Sequence, residues 1–450
     1  VISHLGLCQK QIQFVEHHTC HAASAYFGSG SHSGTVLLTC DGEGDGVCAT
    51  VGVGKGKEIE RLAETPSDNS LGNLYSRVTF LLGMKPLDHE YKVMGLAPYA
   101  DRSGVDESFE ILRQFVRRSR KHPLQFENTR KVPSQFYYDI LSRELANHRF
   151  DWIAGAIQKL TEELMLEWAK VAIETTGLSK IACSGGVFMN VKTNMRLMED
   201  LDHSGLVIFP SCGDESAAIG AAYFVASQGS SDRISPIGPL YLGPEYGEED
   251  VKKTLDKTEL TQGYRIEQYS DIEGMIGELL AKGAVVARMK GRMEWGARAL
   301  GNRSILANPS NLDVVRKINR MIKMRDFWMP FAPTLMDSSQ GRYLLNPKSQ
   351  PAPYMILAFR TVEESRRQIT AALHQYDFTA RPQILEESWN PDYYRILRLF
   401  EEKTGIGGVL NTSFNLHGEP IVCSVEDAID TMRRSELENL TLGDYLITKQ

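Results

Sequence analysis

The sequence lacks any hydrophobic run long enough to cross a bilayer. Its longest apolar stretches, 34–40 and 284–287, have the length of strands, whereas a membrane-spanning helix needs roughly 20 residues. It also lacks an excess of one charge, because 57 acidic and 50 basic residues give a net charge of −7 without a long run of either sign. We therefore expect a soluble protein with neither a membrane nor a nucleic acid as partner.

The cysteines lack the pattern of a zinc or redox site. There are seven, an odd number, and no two of them form a CxxC pair. We expect reduced thiols and a cytoplasmic location. The sequence begins at Val1 without an initiator methionine or a signal-like region, and its first pattern, QIQFV (11–15), predicts a strand. This start leads us to expect a chain that is incomplete at its amino terminus.

The pattern of the first half predicts an α/β fold. Three units recur in which an apolar strand ends in a turn of Gly, Ser or Asp: TVLLTC with DGEGDG and a returning strand, KIACSGGVFMN, and LVIFPSCGDESAAIGAAYFVAS. Helices are expected after SGG and after GD, which favours parallel strands with sites at their carboxyl ends. The segment 228–248 breaks this rhythm with Gly, Ser and Pro. We place one domain at 1–232 and a second at 240–450.

The second half predicts alternating strands and helices. Strands are expected near Val285, at 331–336 and at 354–359, and a helix is expected at 312–324. A helix at 391–403 has Asn390 as its cap and is closed by Gly405. Another begins at Ser424, where SVED supplies a cap and an acidic third residue.

Two histidines at helical spacing suggest a metal site. His17 and His21 lie four residues apart in HHTCHAASAYF, so both rings occupy one face of a helix that should end at Gly28. Asp41 and Asp214, each following a predicted strand, could supply oxygen ligands. The alternatives are a packing role for the histidines and a helix-capping role for Asp214.

Two glycine-rich turns are candidate nucleotide contacts. DGEGDG offers backbone amides and carboxylates, although Asp-Gly is also ordinary hairpin chemistry. SGGVFMN would let the backbone approach a nucleotide at a helix start, with a tight structural turn as the alternative. The candidate residues are Asp41, Gly42, Gly44, Asp45, Ser184, Gly185, Gly186 and Asn190.

The second half carries a basic segment, MKGRMEWGARALGNRSIL. It contains Lys290, Arg292, Arg298 and Arg303 close together, with Glu294 as its one acid. Guanidinium groups bind phosphate in a fork, so this segment is suited to a small dianion or a triphosphate, and a solvated basic face is the alternative. Later, VLNTSFNLHGEP places Asn411, Ser413 and Asn415 at a strand end.

Together these segments resemble the NodU/CmcH family of carbamoyltransferases over nearly the whole chain. The amino-terminal resemblance lies in HHTCHAASA, DGEGDG, YKVMGLAPY, CSGGVFMN and GDESAAIGAA, in that order. The carboxy-terminal resemblance lies in GRMEWGARALGNRSIL, FWMPFAP, TARPQ and NTSFNLHGEP.

The resemblance implies a fold and a set of roles for each half. The first half is similar to the tRNA threonylcarbamoyltransferase, an actin/hexokinase-like (ASKHA) domain. That domain binds ATP with Mg²⁺ beside a second metal, commonly iron. The resemblance therefore implies an Fe²⁺ site formed by His17, His21 and Asp214, with Asp41 as a further ligand. The second half is similar to YrdC, whose KxR and SxN signatures are matched by 290–292 and 413–415. The implied catalytic residues are Lys290, Arg292, Arg298, Arg303, Ser413 and Asn415, with Asn411 as a nucleotide contact.

The implied reaction is the transfer of a carbamoyl group from carbamoyl phosphate, through a carbamoyl-adenylate formed with ATP, to a hydroxyl of a secondary metabolite or glycan. Members of the family begin with a hairpin carrying a phosphate-binding G…DSA loop, which this sequence does not contain. Two alternatives therefore stay open, a non-catalytic nucleotide-binding protein and a metallohydrolase, the latter without a glutamate between its histidines. A homodimer is compatible with the sequence.

Overall fold

The computed structural model describes residue 6 and residues 12–229, 234–258 and 263–450, with the backbone alone at residue 135. Cys8 and residues 230–233 of the predicted domain boundary lie outside the described residues. Strands and helices are mixed in both halves, which confirms the α/β class. The actin/hexokinase-like and YrdC-like assignments and the bounds 1–232 and 240–450 stay predictions. No described helix is both long enough and apolar enough to cross a membrane.

The first half is organised around a five-stranded sheet in the order β3-β2-β1-β6-β7. Strands β1, β6 and β7 are parallel, whereas β2 and β3 run antiparallel as extensions of the β1 hairpin. The strands of this half are β1 (Thr35–Gly44), β2 (Val47–Lys55), β3 (Glu58–Pro66), β4 (Val116–Arg118), β5 (Phe126–Asn128), β6 (Lys180–Ser184) and β7 (Gly205–Ile208). The predicted hairpin and the predicted parallel strands are both confirmed.

Eight helices accompany this sheet within the described residues. They are α1 (His17–Gly28), α2 (Leu71–Leu81), α3 (Glu90–Leu96), α4 (Arg102–Leu112), α5 (Tyr137–Glu144), α6 (Phe150–Thr176), α7 (Val191–Asp200) and α8 (Glu215–Gly229). Helix α1 ends at Gly28 and helix α8 begins just after the GD pair, as the sequence predicts. After SGG, a short 3₁₀ turn at Gly186–Met189 precedes α7, whose cap is Asn190.

Parallel pairing gathers the three strand-end turns at one edge of the sheet. Thr39 of β1 lies beside Ser184 of β6, and Cys183 lies beside Ile208 of β7. The residues that follow these strands therefore meet at the same edge. Gly185 makes the close approach possible, because its φ is +105° and a Cβ there would lie 2.3 Å from the carbonyl oxygen of Cys40.

The second half contains an eight-stranded sheet in the order β14-β11-β15-β10-β9-β16-β17-β8. Its strands, with the small β12–β13 pair, are β8 (Tyr264–Gln268), β9 (Val286–Met289), β10 (Arg303–Ala307), β11 (Ala332–Met336), β12 (Leu344–Leu345), β13 (Arg360–Thr361), β14 (Gln383–Leu385), β15 (Gly408–Ser413), β16 (Asn439–Leu442) and β17 (Tyr445–Lys449). Its helices are α9 (Glu248–Lys257), α10 (Ile272–Ala281), α11 (Asp313–Ile318), α12 (Gln340–Tyr343), α13 (Pro391–Thr404) and α14 (Val425–Arg433). One continuous hydrophobic cluster joins β1 and β6 to β11 and α13.

The cap-based predictions in this half are confirmed. The side chain of Asn390 accepts a hydrogen bond from the amide of Tyr393, and Gly405 closes α13 with a left-handed φ of 75°. Ser424 and Asp427 form a reciprocal capping box at the start of α14.

Two predicted strands are wrong. Residues 354–358 are irregular, because Met355 has a φ of +57°, a conformation that no strand contains. In QIQFV, Gln11 lies outside the described residues, and 12–15 pair with no strand that the structure describes. Phe14 there is 90% exposed, so its side chain gains nothing from sheet packing.

Candidate active site

Helix α1 and two strand ends bring together a cluster of nitrogen and oxygen atoms. His21 Nε2 lies 3.0 Å from both His17 Nε2 and Asp41 Oδ2. The Oδ1 atom of Asp214 is 3.7 Å from His17 Nε2 and 3.9 Å from His21 Nε2. One ligand atom from each of these four residues lies within 4.8 Å of the others. The structure thus brings all four predicted metal ligands together.

The surroundings hold the two imidazoles in this orientation. His21 Nδ1 contacts Ser216 Oγ at 3.0 Å and Ser184 Oγ at 3.2 Å, which leaves Nε2 for the cluster. The backbone amide of His17 donates to Asp45 Oδ2 at 2.9 Å. A Cβ at Gly44 would lie 2.2 Å from the His17 ring, so this glycine makes room for the ring.

The charges of the cluster suit a cation. Partial burial, and next the charge of Asp41, raises the pKa of the Asp214 carboxyl, although 79% of its side chain is exposed to solvent. A cation between the two carboxylates would relieve this repulsion. Two imidazoles with two carboxylates are ligands that iron, zinc and manganese accept, so the residues present fit a divalent transition metal.

The third histidine of the run, His18, is structural. Its ring nitrogens contact Thr39 Oγ1 at 2.7 Å and the Val47 carbonyl at 3.1 Å. Burial, with the charge of His21, lowers its pKa to about 4. It is therefore a neutral core residue and points away from the cluster.

The predicted nucleotide contacts are only partly placed for that role. Asp45 and Gly46 form the two-residue tip of the β1–β2 hairpin with positive φ angles, as the hairpin alternative predicts. Ser184 is fully buried against His21. The candidates that border the cavity described next are Asp41, Gly42, Gly186 and Asn190. A nucleotide-binding role for Asp41, Gly42, Gly44, Asp45, Ser184, Gly185, Gly186 and Asn190 stays a prediction.

A cavity of about 960 Å³ lies between the two halves. Asp41 and Asp214 border it at one end, so the cluster of His17, His21, Asp41 and Asp214 opens onto it. The second half contributes a group of basic residues, which we call the cation wall. The cation wall consists of Arg298, Lys323, Arg325 and Arg381.

The cation wall is built around Ser413 and Asn415. The Lys323 ammonium donates to Ser413 Oγ at 3.0 Å and to Asn415 Oδ1. Arg325 donates to Thr412 Oγ1 at 3.0 Å, on the same strand end. Lys323 reaches this position because a π-helical turn at Asn319–Lys323 extends α11 and ends at Met324, whose φ is +43°.

No described carboxylate lies within ion-pair distance, 4.0 Å, of any cation in this wall. Burial, and next the charge of Arg325, lowers the pKa of Lys323 well below its ordinary value. Burial also lowers the pKa of Arg325 to about 10 and that of Arg381 well below its usual range. Four neighbouring cations that no described carboxylate pairs within 4.0 Å form a candidate site for a polyanion.

The structure corrects the expected placement of the basic segment. Of its four basic residues, Arg298 alone borders the cavity with Ser413 and Asn415. Lys290 is paired with Glu273 at 2.7 Å and Asp444 at 2.9 Å. Arg292 is exposed and donates to the carbonyls of 242 and 243, and Arg303 is fully buried. Because these side chains are held by other protein groups, they are not available to an anion in the cavity.

The KxR triplet that meets the SxN triplet is therefore Lys323-Met324-Arg325. The sequence contains two KxR triplets, and the resemblance to YrdC places the signature at the other one, 290–292. The sequence did not indicate Arg381 either, although it lies in the TARPQ motif, because a single arginine has no distinctive spacing. The signal that could have found Lys323 is its position just before FWMPFAP.

Glu294 shapes the loop that carries Arg298. Its Oε1 atom accepts the amides of Leu300 and Asn302 at 2.8 Å and of Arg303 at 3.1 Å. Asn411 is also part of this support, because its side chain donates to the Ala299 carbonyl at 3.1 Å. Asn411 is 1% exposed and does not border the cavity, so its expected nucleotide contact stays a prediction.

Comparison with known families decides the assignment. Residues 5–223 match the family described as Carbamoyltransferase N-terminus, and residues 277–449 match Carbamoyltransferase C-terminus. Nodulation protein NolO of Bradyrhizobium diazoefficiens is 32% identical over 97% of this chain and 79% of its own length. The chain belongs to the NodU/CmcH family of carbamoyltransferases.

Two further relatives show the range of this family. An uncharacterised protein of Methanocaldococcus jannaschii, MJ1058, is 34% identical to this carbamoyltransferase over 98% of this chain and 74% of its own. The 3'-hydroxymethylcephem-O-carbamoyltransferase of Amycolatopsis lactamdurans is 29% identical over 82% of this chain and 69% of its own. The membership shows a transferase enzyme and speaks against a non-catalytic nucleotide-binding protein.

Proposed function

We propose that this carbamoyltransferase uses ATP and carbamoyl phosphate to form a carbamoyl-adenylate at the cation wall and then carbamoylates a hydroxyl group. The observation that carries the proposal is the cation wall itself. Four cations, none with an ion-pair partner among the described carboxylates, border the same cavity as Asp41 and Asp214. A polyanionic substrate supplies the missing counter-charge.

The chemistry proceeds in three balanced steps. Water cleaves carbamoyl phosphate to carbamate and phosphate. A carbamate oxygen then attacks the α-phosphorus of ATP, the bond to the β-phosphate oxygen breaks, and pyrophosphate leaves. Finally the acceptor hydroxyl attacks the carbamoyl carbon, AMP leaves, and the hydroxyl proton is released. The second step brings two anions together, carbamate and ATP, so it depends on charge neutralisation by the cation wall.

Each residue of the wall has a defined part in this proposal. Lys323, fixed by Ser413 and Asn415, presents an ammonium group with a remaining donor to a phosphate oxygen. Arg298 has a buried Nε without a described hydrogen-bond partner, so its guanidinium is available to the ligand. Arg325 and Arg381 add charge that is screened little by water in this enclosed position.

The metal cluster would serve the transfer step. His17, His21, Asp41 and Asp214 would hold the ion, which we expect to be Fe²⁺ beside ATP with its Mg²⁺. A bound divalent ion supplies a Lewis acid that polarises a carbonyl or phosphoryl oxygen. The protein itself orients the ligands, through Ser216 and Ser184 behind His21.

The acceptor is proposed as a hydroxyl of a secondary metabolite or glycan. The relative that acts on a cephem is an O-carbamoyltransferase by name, and this supports an oxygen acceptor.

The proposal is tested by following pyrophosphate release from ATP without any acceptor. We expect release that requires carbamoyl phosphate and that Arg298→Ala abolishes. Arg292→Ala is the matched control, because Arg292 donates only to backbone carbonyls outside the cavity. Absence of carbamoyl-phosphate-dependent release, or equal loss in both variants, would refute the proposal.

A further inference from the structure

Helix α3 of the first half lies against the segment that follows the cation wall. The ammonium group of Lys92 pairs with Asp326 Oδ2 at 3.1 Å, and Asp326 directly follows Arg325 of the wall. Trp328 Nε1 donates a hydrogen bond to the carbonyl oxygen of Lys92 at 3.2 Å. These two contacts hold the start of α3 beside the wall.

Tyr91, the residue before Lys92, has no role in the chemistry proposed above. It borders the cavity together with Arg298 and Arg325, and 40% of the residue is exposed. Its ring lies edge-on to that of His89, with centroids 6.2 Å apart. Its hydroxyl makes no hydrogen bond with any residue that the structure describes. The polar atom of Tyr91 is therefore available to a ligand in the cavity.

The hydroxyl of Tyr91 lies close to two guanidinium groups of the wall. Burial lowers the pKa of Arg325 to about 10, and the ionised form of Tyr91 acts in the opposite direction. Burial also lowers the pKa of Arg298, and the ionised forms of Cys212 and Tyr91 act in the opposite direction. Because such an influence falls with distance, the phenolic oxygen is a near neighbour of both arginines.

This placement determines where the hydroxyl proton points. A guanidinium group carries donors only, so an arginine beside the phenol faces the lone pairs of its oxygen. The O–H bond then points away from the arginines and toward the anion that they attract. A hydroxyl in this position offers a phosphate oxygen a further hydrogen bond without adding charge to the site.

We infer that Tyr91 binds the polyanion of the cation wall by donating its hydroxyl proton in a hydrogen bond to a phosphate oxygen. The inference rests on the proposed function, because ATP and pyrophosphate are the polyanions proposed for this site. It adds a residue of the first half to a wall whose cations all belong to the second half. A bound polyphosphate thus contacts both halves at once.

The experiment measures pyrophosphate binding to the full chain by isothermal titration calorimetry. Tyr91→Phe should weaken binding by about tenfold, the lower end for a hydrogen bond to a charged group. Tyr138→Phe is the matched control, because Tyr138 is 37% exposed and does not border the cavity. Its affinity should stay within about twofold of the unmodified chain, since distant sites act independently. Both variants should keep the thermal unfolding temperature of the unmodified chain.

Salt distinguishes a neutral donor from a charged one. Added salt weakens pyrophosphate binding by screening the charges of the wall. Tyr91→Phe should lower the affinity by the same factor at every salt concentration. Arg298→Ala removes a charge, so its affinity should depend less steeply on salt than that of the unmodified chain.

A loss below about threefold for Tyr91→Phe, or tighter binding, overturns the inference, because a phenol that only accepts from the arginines gives the anion no donor to lose. A factor for Tyr91→Phe that shrinks as salt rises overturns it too. In these cases weaker binding by Arg298→Ala leaves the proposed function intact. Absence of pyrophosphate binding by the unmodified chain, or unchanged binding by Arg298→Ala, means that the proposed site fails, and the inference with it.

Discussion

Lys323→Met should weaken the binding of a polyanion far more than the same substitution at Lys290. Lys323 is 2% exposed and is held toward the cavity by Ser413 and Asn415. A hydrogen bond to a charged group contributes about 1.5–3 kcal/mol. Losing it should weaken pyrophosphate binding by about 10- to 150-fold, measured by isothermal titration calorimetry.

Lys290→Met removes an ammonium group from the other KxR triplet and changes nothing in the cavity. We expect its pyrophosphate affinity to stay within about threefold of the unmodified chain, because distant sites act independently. It should instead lower the free energy of unfolding, since Glu273, with 9% of its side chain exposed, loses its nearer cation and keeps only Arg395 at 4.0 Å. Equal losses of affinity in the two variants, or a loss below about threefold for Lys323→Met, would refute the assignment of the cation wall.

Three further outcomes are expected. Burial lowers the pKa of Lys323, so between that lowered pKa and about 10.4 the unfolded chain binds a proton that the folded chain does not. The free energy of unfolding should therefore rise with pH across this range. Lys323→Met should flatten the rise, measured by denaturant titrations at several pH values. His21→Ala should reduce bound metal, measured by mass spectrometry, while acceptor-free pyrophosphate release persists; a parallel loss of both would contradict separate sites. Gly44→Ala should also reduce bound metal, because the added methyl would lie 2.2 Å from the His17 ring, whereas Gly341→Ala, with nothing within 4 Å of the added atom, should not.

The metal cluster was predictable because each of its residues has a local signal. His17 and His21 have helical spacing, and Asp41 and Asp214 follow apolar strands that the α/β rule makes parallel. Both patterns predict the folded arrangement, because the strand order and the helical spacing together determine where these four side chains meet.

The cation wall was only partly predictable. Arg298, Ser413 and Asn415 were named, but Lys323 depends on a π-helical turn and a positive φ at Met324 that no sequence pattern indicates. Lys290 and Arg292 satisfy the same KxR spacing, and spacing alone does not say which triplet faces the strand end. The strand expected at 354–359 failed for a related reason, the left-handed conformation of Met355.

The hydrogen bonds of Glu294 separate the geometry of the loop that carries Arg298 from the surface charge of the same segment. Three backbone amides converge on one carboxylate oxygen, and Asn411 holds the carbonyl side of the same loop. The position of Arg298 thus depends on Glu294 and Asn411, neither of which borders the cavity. The side chain of Arg292 takes no part in these hydrogen bonds, because it is exposed and donates to the carbonyls of 242 and 243. The surface charge of this segment can therefore change without moving Arg298.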